Sequence, residues 1–182
     1  MTTIPTSELF DAFADDLLEE RSMRPLIIIG ASKVDHFLFE VLNIYLLPKA
    51  AKSGEPDELL QGDRPLSTFS ARTKLCYRLG LIDKTLYVAI DKLRALRNPC
   101  AHSVNFDPAK SPIREHLADF KQYVANRSSY RLTKERYFDS ISLTPTQELQ
   151  CLLLTLCVLL EAIREKTRVT KGSKIALSIA AK

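Results

Sequence analysis

The sequence predicts an all-α protein, a single domain built as a bundle of about six helices. Apolar residues recur with a 3.6-residue period nearly throughout, and no alternating strand pattern is present. The 182 residues include 5 glycines against 9 prolines, and most prolines fall between periodic segments. A chain that is 46% hydrophobic and 26% charged carries enough apolar surface for one sizeable core. The glycine scarcity excludes a β-sandwich, and neither a P-loop nor a GxGxxG loop occurs.

Each element has a local reason. Ser7 is the predicted N-cap of a first helix carrying Leu9, Phe10, Phe13, Leu17 and Leu18, with Glu8 and Asp11 suited to its N-terminal dipole. A longer second helix starts near Pro25, a good first-turn residue, and runs to about Leu47 before Pro48. Its wide apolar face, from Ile27 to Tyr45, predicts a central, largely buried position. Residues 48–66 form a long connection. Ser67 then caps a third helix, closed by Gly80 as a left-handed residue. Asp83 caps a fourth, which Asn98-Pro99 is predicted to break, because proline lacks a donor and biases its predecessor away from the α region. Ser111-Pro112 opens a fifth. Thr144-Pro145-Thr146-Gln147 reads as a capping box before the sixth, which carries Leu149, Leu152, Leu153, Leu156, Leu160 and Ile163. The stretch 126–143 is polar, basic and tyrosine-containing and is assigned no element.

The domain reading is a helical domain over 1–166 and a basic tail over 167–182, with a short amphipathic turn at 175–179. The N-terminus lacks a basic segment followed by an apolar run, so no secretory signal is read. The longest uncharged apolar run, Cys151 to Leu160, is short of the ~20 residues a membrane helix needs. Four cysteines without a CxxC pair argue against zinc or a disulfide scaffold. The expectation is a cytoplasmic protein with reduced thiols, no cofactor, no metal and no membrane contact.

Charge is unevenly spread along the chain. Residues 1–60 hold 5 Lys/Arg against 11 Asp/Glu, residues 61–120 hold 10 against 6, and residues 121–182 hold 11 against 5. Self-association, a polyanion ligand and plain solvated faces all fit that asymmetry.

One segment departs from bundle grammar: Leu93-Arg-Ala-Leu-Arg97-Asn98-Pro99-Cys100-Ala101-His102. Leu86, Ile90, Leu93 and Arg97 follow i, i+4, i+7, i+11, which places Arg97 on the apolar stripe, where a guanidinium needs a partner. A break at Pro99 would turn His102 back towards Arg97, making a cationic corner at a helix C-terminus. Asp35, at the edge of the second helix's apolar face, is the candidate carboxylate to orient that pair. Arg72, Lys74 and Arg78 on the third helix, with Arg94, are candidates for a phosphate-binding surface or a solvated face. The alternatives for Arg97 and His102 are a structural helix-end pair, catalysis, or anion and partner binding.

Arg97-Asn98-x-x-Ala101-His102 resembles the RX4–6H motif, in its RNxxAH form, of the HEPN superfamily of small helical domains. The preceding block, through Gly62, Asp63, Pro65, Leu66, Ser70, Arg72, Lys74, Leu75, Tyr77, Leu79, Gly80 and Ile82, resembles the mannitol operon repressor (MltR)-like family. The resemblance spans roughly residues 24–105. It implies two copies meeting at the motif face of a homodimer, and metal-independent RNA cleavage in active members. His102 would then move protons, Arg97 would stabilise the crowded phosphate, and Asn98 would hold a phosphate oxygen or orient His102. The products would be a 2′,3′-cyclic phosphate and a 5′-hydroxyl. Such domains serve as toxins or in phage defence, which implies a neutralising antitoxin partner. The alternative from the same resemblance is a non-catalytic transcriptional regulator acting through protein–protein contact, since no helix-turn-helix is readable.

Overall fold

The computed structural model describes residues 8–49, 54–102, 106–138 and 142–170. Seven helices form there and no strand: α1 (Glu8–Glu19), α2 (Met23–Tyr45), α3 (Phe69–Arg78), α4 (Lys84–His102), α5 (Ile113–Val124), α6 (Ser128–Tyr137) and α7 (Pro145–Lys166). The all-α single domain is as expected, with one helix more than predicted. Ser7 and the tail segment 171–182 lie outside the described residues.

α2 and α7 make the centre of the bundle, with α1, α3 and α4 against α2 and with α1, α5 and α6 against α7. They approach closely because Gly30 carries no side chain: a Cβ there would stand 2.6 Å from Leu153 Cδ2. By length and composition α7 could cross a membrane, but 67% of its apolar window is buried inside the bundle. Its apolarity is accounted for by that central place. Buried Gln150 on α7 donates to the carbonyls of Leu17, Leu18 and Glu20, closing the C-terminal end of α1 where no glycine stands.

Helix ends follow the local chemistry with small shifts. The capping box forms: Thr144 Oγ1 accepts from the Gln147 N–H, and the Gln147 side chain accepts from the Thr144 N–H. Gly80 takes φ +71° and completes a Schellman motif, with Leu81 N–H on Cys76 O and Gly80 N–H on Tyr77 O. Asp83 accepts from the Leu86 N–H as predicted. The cap of α3 is Thr68, one residue after the predicted Ser67, whose hydroxyl instead donates to Arg64 O. α2 begins two residues before Pro25, behind Ser22.

One open stretch is resolved and one expectation is corrected. The stretch 126–143 contains α6, a largely polar helix that packs on α7, buries Thr133, sets Tyr130 and Tyr137 against the core, and pairs Arg127 with Asp83 and Arg136 with Asp11. Asn98-Pro99 does not break α4, which continues to His102. Proline costs a helix interior about 3 kcal/mol. Here Leu93, Leu96 and Cys100 are fully buried on either side of it, and Arg24 Nε donates to Cys100 O at 2.9 Å. Burial and a side-chain cap together offset the lost backbone bond.

Candidate functional site

The two segments that stood out in the sequence meet along α3 and α4. The first, residues 62–82, is bonded internally. Arg72 Nη1 lies 2.8 Å from Asp35 Oδ1 and Arg72 Nη2 donates to Leu60 O at 2.7 Å, so one guanidinium ties α3 to α2 and to the connection between them. With its side chain 12% exposed, and lying over the Phe39 ring, Arg72 is a clamp within the fold. Asp35 therefore pairs with Arg72, not with Arg97 or His102 as expected. The reason is position: Asp35 lies on the side of α2 that α3 covers.

The second segment turns outward. Arg97 and Asn98 are exposed. The buried stripe of α4 is Leu86, Ala89, Ile90, Leu93, Leu96 and Cys100. Its steps average closer to 3.5 than 3.67 residues, so the core side drifts along the helix and leaves Arg97 beside the stripe. Arg97 makes no ion pair among the described residues. His102 is the last residue of α4, and its side chain is not among those described. On a continuous helix positions 97 and 102 stand about 140° apart around the axis. The break at Pro99 that would have turned the chain back towards Arg97 is absent.

Lys74 and Arg78 are exposed on α3, whereas Arg94 is engaged by Asp91 at 2.8 Å. Sequence reading missed three residues of this face. Tyr77 stacks on Tyr87 across the α3–α4 contact, ring centroids 4.8 Å apart, and exposed Lys84 stands one turn before Tyr87. The spacing held the signal: Lys74, Tyr77 and Arg78 are i, i+3, i+4, and Lys84, Tyr87, Asp91, Arg94 and Asn98 follow one line down α4. Arg24, which reaches Cys100 O, had no sequence signal, because 76 residues separate the two.

Other chemistry is limited. All four cysteines are free and buried, and burial pushes the Cys100 thiol up to about 11, against the weaker pull of Arg24. That is the opposite of an activated nucleophile. No group of three His, Cys, Asp or Glu residues could hold a metal among the described residues. A cavity of about 480 Å³ lies between α2, α5 and α7, lined by Met23, Leu117, Pro145 and Leu152, with the Lys121–Glu148 ion pair on its wall.

Comparison with solved structures places this architecture. The chain is similar to the MtlR of an Escherichia coli MtlR–HPr complex, with TM-score 0.56 and 20% identity over 87% of this chain and 99% of that one. It is also similar to YggD from Shigella flexneri 2a str. 2457T, described as a possible transcriptional regulator. There the TM-score is 0.54 and the identity 14%, over 87% of this chain and 98% of that one. No family model and no curated protein matches the sequence. The chain therefore has an MtlR-like all-α fold.

Proposed function

We propose that this chain is a non-catalytic, MtlR-like regulator that acts in the cytoplasm by binding another protein. The observation that carries the reading is the fold: the likeness spans nearly the whole of an MtlR solved together with a protein partner, HPr. Two further features support it. Arg97 and Asn98 are exposed on a continuous helix, Arg97 with no ion-pair partner among the described residues, and burial pushes the nearby Cys100 thiol up to about 11.

A second reading is favoured by one observation, the intact Arg97-Asn98-x-x-Ala101-His102 motif. It is a metal-independent HEPN-type RNase, of toxin or phage-defence kind, with a second copy supplying the other Arg/His pair. Lys74, Arg78 and Arg94 would then contact phosphates, while Arg72 is already committed to Asp35.

One pair of assays separates the readings. The wild type and an Arg97→Ala/His102→Ala variant are titrated with Escherichia coli HPr by calorimetry, and incubated with labelled single-stranded RNA and tRNA in excess EDTA. The regulator reading expects saturable HPr binding, equal in both proteins, and no cleavage by either. Cleavage by the wild type alone, leaving cyclic-phosphate ends, overturns it in favour of the RNase. No binding up to about 100 μM, some 5.5 kcal/mol of affinity, removes HPr as the partner.

A further inference from the structure

The α3–α4 face is cationic and aromatic, and its cations are left over. Lys74, Arg78 and Lys84 are exposed and make no ion pair among the described residues. The stacked Tyr77–Tyr87 pair lies between them, and Asp91 is already held by Arg94. Tyrosine and arginine amid a rim of lysine are the composition of a protein-binding face. The same chain carries the complementary surface. Asp15, Asp16 and Glu19 line the exposed side of α1 and make no ion pair among the described residues, with Arg21 the next cation in sequence. α1 packs on α2 and α7, whereas α3 and α4 pack on α2 and on each other, with α5 against another side of α4.

We infer that the α3–α4 face of one copy binds the acidic side of α1 of a second copy. Charge decides the pairing. Two α3–α4 faces meeting each other would set Lys74, Arg78 and Lys84 against their own copies, a like-charge arrangement that costs several kcal/mol. That disfavours the homodimer through the motif face, and an acidic surface is required opposite. A nucleic-acid strand fits less well. The two rings are stacked on each other at 27° instead of standing open to bases, and a carboxylate sits within the face. This inference is independent of the partner proposed above, since HPr binding and self-association are read separately.

The test is sedimentation velocity of the full chain in about 0.05 M and about 0.5 M salt. Mass above that of the monomer is expected at low salt and the monomer at high salt. Lys74→Glu/Arg78→Glu/Lys84→Glu and, separately, Asp15→Lys/Asp16→Lys/Glu19→Lys should each weaken association by at least about tenfold. Both sets combined in one chain should restore it to within about threefold. Circular dichroism checks that each variant folds, and the single Lys84→Glu and Asp16→Lys changes replace any triple variant that does not. A monomer at low salt, or a combined variant that stays dissociated, overturns the inference. So does a monomer that binds a labelled oligouridylate through Lys74, Arg78 and Lys84, which assigns the face to nucleic acid.

Discussion

The block around Arg72 and the motif around Arg97 read alike in the sequence, as two signatures a few turns apart, yet the fold uses them in opposite ways. Arg72 is spent internally, on Asp35 and on Leu60 O, and the glycine that ends its helix makes a Schellman cap. Arg97 has no ion-pair partner among the described residues and faces solvent at the end of α4. A recognisable residue pattern thus ties the fold together in one case and lies on its surface in the other. Burial and bonding separate the two, not the strength of the pattern.

The largest expected effect tests the first half of that comparison. Arg72→Ala leaves Asp35 and Leu60 O without their partner and should lower stability by about 3 kcal/mol in urea unfolding. Arg97→Ala should stay within about 0.5 kcal/mol of wild type, as exposed positions do. Equal losses would erase the distinction. Pro99→Ala comes next: if α4 runs on through the motif, restoring the N–H should raise stability by about 1 kcal/mol or more. A loss would mean that the chain needs the break. Gly80→Ala should cost about 1 kcal/mol, because φ is +71° there.

The smallest effects are chemical. Burial pushes the Cys76 and Cys157 thiols up to about 12 and those of Cys100 and Cys151 to about 11. Native protein should therefore be inert to a thiol reagent at about pH 8 and show four reactive thiols once unfolded. The raised values also set a sign. Their contribution to stability is full below the unfolded value of about 9 and is lost as pH rises towards 11–12, because only the unfolded chain can release those protons. Unfolding midpoints should fall over that alkaline range.

Much of the bundle could be read directly. The caps at Thr144 and Asp83, the stop at Gly80 and the central place of α2 follow from short-range rules that the fold obeys. α6 was hard to read because the side it turns inward, Tyr130, Thr133 and Tyr137, is made of polar and amphipathic side chains instead of aliphatic ones. Pro99 misled for another reason. The rule for proline is local, while the compensation comes from Arg24, 76 residues before Cys100 in the chain.

The class of fold and the approximate extent of most helices were legible in the sequence alone. These are encoded in periodicity, capping chemistry and composition, which act within a turn or two of helix. Only the tertiary structure decided that Asp35 belongs to Arg72, that Arg97 stands outside the core, and that Tyr77, Tyr87 and the unpaired lysines share one face. Those outcomes depend on which helices come together, and a side chain's partners across that distance are set by packing, not by its neighbours in the chain.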